Sequence, residues 1–435
     1  MGRVLTLAWI FCLAACVGHM PGAVPVPQQA AGMSRIKHVV WIMQENRSFD
    51  DLFQGYPGAD TSPTGEDSHG NTIALAPISF TAGYDLDHSS TSFFRDCNGT
   101  GSIPGTDCRM DGFNREQRYY CYHHRCPPHA QYGYVPHSET RLYFEMAHQY
   151  TLADRMFASH LDLSYVSHQY MIAGQANGAV DYPDSVWRCE PGNMIGTLTD
   201  RRTYGPNIPV CQNYRTLGDE LDDAGLSWRL YSATKSSQWV AYGSIRRIRF
   251  GPDWKRNIVG SPSQVIVDVA HGRLADVTWV TPTCQNSDHA ACGSATGPQW
   301  VASVVNAIGE SPYWNSTAIF VMWDEWGGWY DHVPPPHLDF DGLGFRVPLL
   351  VISPFAKRGY VSHVQYEHGS LLRFIEDRFG LAQMAASDAR ANSPAGDCFD
   401  FTQAPRAFQP FGKPLTMRQT LEMQKHETTQ IPDVQ

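Results

Sequence analysis

Four short apolar runs constrain this chain more than any other feature: Ile36 to Met43 (IKHVVWIM), Val277 to Val280 (VTWV), Ala318 to Trp323 (AIFVMW) and Val347 to Ile352 (VPLLVI). They are of strand length and rich in β-branched and aromatic side chains, so they read as buried strands. Between and beyond them lie stretches with helical character, Glu139 to Ala158, Gln299 to Ile308 and Tyr366 to Phe379. Strands alternating with helices predict an α/β fold with a central, mostly parallel sheet flanked by helices. No repeat of 20 to 50 residues recurs, which excludes solenoids and propellers. The 435 residues therefore fit one α/β core carrying loop insertions.

The first residues stand apart from that core. Arg3 precedes the apolar run Val4 to Val17, shorter than the ~20 residues that span a bilayer, and this is the form of a signal peptide. Leu13-Ala14-Ala15-Cys16 resembles the lipobox of bacterial lipoproteins, which predicts a leader over 1–15, lipidation at Cys16 and an anchor in a bacterial membrane. An ordinary secretory signal with a chance Cys is the alternative. Residues 16–33, rich in Pro, Ala, Gly and Gln, form a tether, and residues 34–435 form a single domain. Residues 55–135 or so are dominated by Gly, Ser, Thr, Asp, Tyr and His, an insertion of site-building loops. The protein is expected to be exported: periplasmic or at the cell surface and membrane-tethered, otherwise secreted. Cysteine usage agrees. Of the eleven Cys, those beyond Cys16 fall mostly into close pairs, as disulfides closing short loops would. Cys398 has no near neighbour. The formal net charge of −10 argues against a nucleic-acid partner, whose phosphates are bound by Lys and Arg.

In open α/β sheets, ligands bind outside the carboxyl ends of strands, and three of the apolar runs end in dense polar sequence. The first continues into Gln44-Glu45-Asn46-Arg47-Ser48-Phe49-Asp50; AIFVMW continues into Asp324-Glu325-Trp326-Gly327-Gly328-Trp329-Tyr330-Asp331-His332; VTWV leads to Ser287-Asp288-His289. Glu and Asn at one strand end with Asp and Glu at another give hard oxygen ligands for a divalent cation. Any one cluster is explained by capping or loop solvation. Three together point to a metal-assisted hydrolytic site.

The blocks KHVVWIMQENRSFDDLFQGYPGAD, MDGF (Met110 to Phe113), SDH, WDEWGGWYDHVPPP, RVPLLVISPFAKRGYVSH and LLRFIEDRFGL resemble, in the same order, the bacterial phosphoesterase family of secreted phospholipases C and acid phosphatases. The resemblance runs from about Lys37 to Leu381 and implies an alkaline-phosphatase-like fold. It implies one divalent metal ion held by Glu45, Asn46, Asp324, Glu325 and a nucleophilic hydroxyl, and a phosphate ester as substrate. The hydroxyl follows an Asp-Arg-Met/Phe-Phe element, here Asp154 to Phe157. Register against the Pro-Thr-x-Pro-Asn-Arg pattern of the phospholipase branch puts Ser164 at the Thr position, after a strand-like run that would deliver it to the carboxyl edge of the sheet. Leu163, Val166, Ser167 and His168 replace that pattern's Pro, Pro, Asn and Arg, and Ser-Tyr-x-x-His-Gln-Tyr is closer to the acid phosphatase branch. Ser159 and Ser167 are rival nucleophiles.

The resemblance implies that Asn46, His88, Asp288 and His289 line the phosphate, with His88 and His289 stabilising the phosphoryl charge or protonating the leaving group. Asp331 and His332 are expected to orient the metal carboxylates from behind. The function expected is a metal-dependent, acid-phosphatase-like phosphoric ester hydrolase working through a phosphoserine. The alternatives are a phospholipase C and, from another class, a surface-binding protein that keeps the fold without catalysis.

Overall fold

The computed structural model describes residues 32–119, 126–413 and 415–426. The leader, Cys16 and nearly all of the expected tether lie outside the described residues. Eight strands, β1 (His38–Gln44), β2 (Thr151–Ala153), β3 (Trp228–Tyr231), β4 (Ile258–Val259), β5 (Val277–Val280), β6 (Thr317–Trp323), β7 (Leu349–Ile352) and β8 (Tyr360–Ser362), make one sheet. Its spatial order is β4-β3-β5-β1-β6-β7-β2-β8. Every pairing is parallel except those of β7, which runs against both β6 and β2. The α/β architecture with a mostly parallel sheet is thus the one observed.

All four apolar runs become strands. β1 and β6 are buried along their lengths save His38, as strands covered on both faces must be. β7 starts two residues later than its apolar run because Pro348 has no N–H to give the ladder. The helices that matter below are α1 (Phe49–Phe53), α2 (Ser90–Cys97), α3 (His137–Gln149), α4 (Ser164–Ala173), α5 (Gly297–Gly309) and α6 (His368–Phe379). α3 packs on α5, and α4 on α6.

Two expectations need correction. The helix expected over Glu139 to Ala158 ends at Gln149, where Tyr150 turns to φ −133°, ψ −147°. Thr151, Leu152 and Ala153 then enter the sheet between β7 and β8; ladder hydrogen bonds and full burial outweigh a helical propensity that has no interior breaker to stop it. The run before Ser164 was expected to be a strand delivering it to the sheet edge. Instead residues 154–163 form no strand: the Asp154 amide donates to the Ser362 carbonyl of β8 at 3.0 Å, Met156 and Phe157 make isolated bridges to Tyr366 and Arg346 outside the sheet, and Ser164 opens a helix.

The insertion folds as small pairings, Thr64–Glu66 with Thr72–Ala74, Ala76–Pro77 with Gly133–Tyr134 and Asp85–Leu86 with Arg118–Tyr119, together with α2. An aromatic cluster of Phe93, Phe113 and Tyr132 from the insertion with Trp326, Tyr330 and Phe345 welds it to the segments after β6. Disulfides join Cys97 to Cys108, Cys189 to Cys211 and Cys284 to Cys292, and Cys398 is free and buried. Short loops are closed, as the close spacing predicts.

Candidate active site

The parallel register of β1 and β6 brings the site together. Gln44 pairs with Trp323, so the residues that follow, Glu45-Asn46 and Asp324-Glu325, leave neighbouring strands at the same level. All four are buried. Gln44 ties in the third polar segment: its Nε2 donates to Asn286 O at 3.1 Å and its Oε1 accepts from the Asp288 amide at 3.1 Å.

Asn46 is the hub. It sits at φ +56°, in the left-handed region that Asn tolerates better than most residues. From there its amide N–H donates to Asp324 Oδ1 at 2.8 Å. Its side chain faces two other candidates: Ser164 Oγ donates to Oδ1 at 3.4 Å, and Nδ2 lies 3.0 Å from His88 Nε2. His88 Nδ1 is held by the Leu86 carbonyl at 2.7 Å, which turns Nε2 toward the site. The same Nε2 is 3.8 Å from Glu325 Oε1, and the His289 ring stands 6.0 Å from the His88 ring, edge to face. Ser164, Asn46, His88, His289 and Glu325 are therefore brought together.

Ser164 is the first residue of α4, whose ten residues are all buried. A hydroxyl at a helix N-terminus lies where unpaired amides and the helix dipole favour an anion. The rivals are otherwise engaged. Ser159 Oγ donates to Glu367 Oε2 at 2.9 Å, and Ser167 Oγ donates to the Asp324 carbonyl at 2.9 Å beside His160.

One turn beyond Ser164, His168 presents Nε2 at 3.1 Å from Glu45 Oε1 and 3.9 Å from Asp324 Oδ2. Ligand atoms of Glu45, His168 and Asp324 all lie within 4.8 Å of one another. Asp324 Oδ2 is buried with no hydrogen-bond partner, an arrangement too costly to keep without a cation or proton nearby. The donor set fits a divalent ion. In the sequence His168 stands out only as a departure from a motif; the signal is its i+4 spacing from Ser164, which puts both on one helix face.

The remaining candidates serve the scaffold. Asp288 turns its carboxylate to Tyr143 Oη (2.7 Å) and Trp323 Nε1 (3.0 Å), and its carbonyl accepts from Arg47 Nε at 2.8 Å. Burial raises its pKa to about 7, against the opposing pull of Tyr143 and Arg47. The side-chain hydrogen bonds of Asp331 and His332 go to Asp50, Asp60, Arg346 and the Val333 amide and not to the carboxylates of Glu45, Asp324 or Glu325. Arg346 grips Asp331 at 2.8 and 3.1 Å, and His332 Nδ1 meets Asp50 Oδ2 at 2.6 Å. Ser48 caps α1 and donates to the Tyr330 carbonyl at 2.7 Å. This buried network fastens the segment after β1 to the segment after β6. Its acids could chelate an ion by geometry alone, but the Arg346 guanidinium already supplies the counter-charge.

The double glycine is steric. Gly327 has φ +63°, and a Cβ there would lie 2.3 Å from the Asn46 carbonyl oxygen; at Gly328, φ +76°, it would lie 2.3 Å from Glu116 Oε1. Only glycine lets the two loops touch.

Known proteins resemble this chain in sequence. The sequence profile of the Phosphoesterase family matches residues 36–382. Phospholipase C A of Mycobacterium tuberculosis is 26% identical, over 90% of this chain and 84% of its own length. The non-hemolytic phospholipase C of Pseudomonas aeruginosa is 26% identical over 90% of this chain and 60% of its own. Among solved structures, a protein of the alkaline phosphatase superfamily from Vibrio parahaemolyticus aligns with a TM-score of 0.38 at 12% identity, covering 82% of this chain and 71% of that one. With a match that spans the sheet, the insertion and every strand end that builds the site, the chain belongs to the phosphoesterase family and is a hydrolase acting on phosphate ester bonds.

Proposed function

We propose that the enzyme hydrolyses phosphate monoesters in the manner of an acid phosphatase, with Ser164 as nucleophile and a phosphoserine between two displacements. The observation that carries this reading is the Ser164 hydroxyl, buried at the start of α4 and pointed at Asn46. Glu45, Asn46, Asp324 and Glu325, with Ser164 Oγ, would hold one divalent cation, which supplies positive charge that lowers the pKa of a hydroxyl and offsets phosphoryl charge. Ser164 Oγ gives up its proton to solvent as it attacks phosphorus in line, the bond to the leaving oxygen breaks, and His88 or His289 gives that oxygen its proton. Water then cleaves the phosphoserine by the same path. The Asn46 side-chain amide, between Ser164 and His88, positions the hydroxyl and offers its N–H to the phosphoryl group.

A second reading, phospholipase C activity on phosphodiesters, is favoured by the names of the relatives at 26% identity. Comparing p-nitrophenyl phosphate with p-nitrophenyl phosphorylcholine decides between them. We expect the monoester to be preferred and Ser164→Ala to lose several orders of magnitude in kcat on it while staying folded. Preference for the diester sinks the acid phosphatase reading, and near-normal turnover by Ser164→Ala sinks the serine mechanism. Export, with lipidation at Cys16, is proposed as well. The disulfides Cys97–Cys108, Cys189–Cys211 and Cys284–Cys292 support an oxidising compartment, and no helix among the described residues is long and apolar enough to cross a membrane.

A further inference from the structure

The cation site implied by the family resemblance has only oxygen donors, and this chain adds a nitrogen to it. We propose that His168 is itself a ligand of the cation, and that its imidazole makes the site select a borderline transition-metal ion over magnesium or calcium. The proposal rests on the reading of Glu45 and Asp324 as metal ligands.

Three observations carry it. His168 Nε2 lies 3.1 Å from Glu45 Oε1 and 3.9 Å from Asp324 Oδ2, and one ligand atom from each of the three residues falls within 4.8 Å of the others. An ion placed among them meets all three. His168 and both carboxylates are buried, and Asp324 Oδ2 has no hydrogen-bond partner; the oxygen next to the imidazole is the one left for a cation. Finally, α4 is fixed in rotation about its axis. One residue before His168, Ser167 Oγ donates to the Asp324 carbonyl at 2.9 Å and meets His160 Nε2 at 3.0 Å, so the imidazole is held facing the carboxylates.

The chemical consequence follows from ligand type. Carboxylate, carbonyl and water suit magnesium, calcium and manganese, whereas imidazole suits zinc, iron and nickel. Replacing one oxygen by an imidazole nitrogen moves a site along that series. A histidine that merely oriented Glu45 would strengthen binding of every divalent ion alike.

The test uses the full chain stripped of metal and titrated calorimetrically with Zn2+, Co2+ and Mg2+ in separate experiments, for the wild type, His168→Gln and Asp324→Asn. We expect His168→Gln to weaken Zn2+ and Co2+ binding at least ~10-fold, the scale of lost metal-site contacts, with Mg2+ binding little changed and the visible absorption of bound Co2+ altered. Equal weakening of all three ions with an unchanged Co2+ spectrum, or no weakening, overturns the proposal. The underlying reading is judged separately: Asp324→Asn must lose all three ions whatever His168→Gln does. Should His168→Gln fail to fold, zinc-edge X-ray absorption of the wild type and His88→Gln replaces it. Imidazole scattering in both supports His168, and an oxygen-only shell in either overturns it.

Discussion

Replacing Gly327 by Ala puts a methyl group against the hub of the site. The added Cβ would lie 2.3 Å from the Asn46 carbonyl oxygen, 2.7 Å from its carbon and 2.9 Å from the Asn46 Cβ, at a backbone φ of +63°. Two costs add. An L-residue in the left-handed region costs ~1–2 kcal/mol, and forcing a buried overlap costs a further ~1–3 kcal/mol. Gly380 separates them, since it has φ +70° but nothing within 4 Å of the added atom. Gly380→Ala should therefore show the backbone cost alone, and Gly327→Ala should exceed it by ~1–3 kcal/mol in urea unfolding. Asn46 cannot yield without loosening the 2.8 Å bond to Asp324 and the contacts to Ser164 and His88. A shift of about 1 Å at a reacting centre costs on the order of 100-fold in rate, so p-nitrophenyl phosphate turnover should fall by about that factor in Gly327→Ala and not in Gly380→Ala. Equal stabilities and equal kcat in the two variants would refute the steric argument.

Two further outcomes are expected. Burial holds the Asp288 carboxyl at about 7, above its unfolded value of ~3.9, so the native state keeps a proton that the unfolded chain gives up and stability falls as pH rises from about 4 to about 7. Asp288→Asn removes that slope: relative to wild type its unfolding free energy should climb by on the order of 4 kcal/mol across this window, and parallel pH curves would contradict it. Removing the Cys97–Cys108 bridge with a double Ala variant frees an 11-residue separation and should cost about 3 kcal/mol by loop-closure entropy, read as a lower urea midpoint; an unchanged midpoint counts against it.

Four strands of the sheet, β1, β5, β6 and β7, and the oxygen side of the site could be read from sequence because their signals are local. A buried strand is a run of contiguous apolar residues, and its polar continuation marks the carboxyl end where Glu45, Asn46, Asp324 and Glu325 gather. β2 could not be read this way, for three residues following a good helix carry no pattern of their own and become a strand only because β7 and β8 offer partners. His168 escaped for another reason. Its partner carboxylates are 123 and 156 residues away in sequence, and only the packing of α4 shows which of its faces meets them. Asp331 and His332 follow Asp324 and Glu325 closely in sequence, yet the chain turns at Gly327 and Gly328 and carries them to Arg346 and Asp50 instead.

The pairing of β1 with β6 has a consequence for folding fidelity. Both strands are apolar on both faces, so sliding one past the other by a residue would exchange one buried aliphatic for another at little cost, whereas in a half-exposed strand the same slip would turn its greasy side to water. Nothing inside HVVWIM or TAIFVMW says where to stop. The stop is written at the ends, where the Asn46 amide must find Asp324 and Ser48 must find the Tyr330 carbonyl. The edge that carries the candidate site is thus also the alignment key of the sheet, and substitutions made there surface as heterogeneous refolding before they surface as lost affinity.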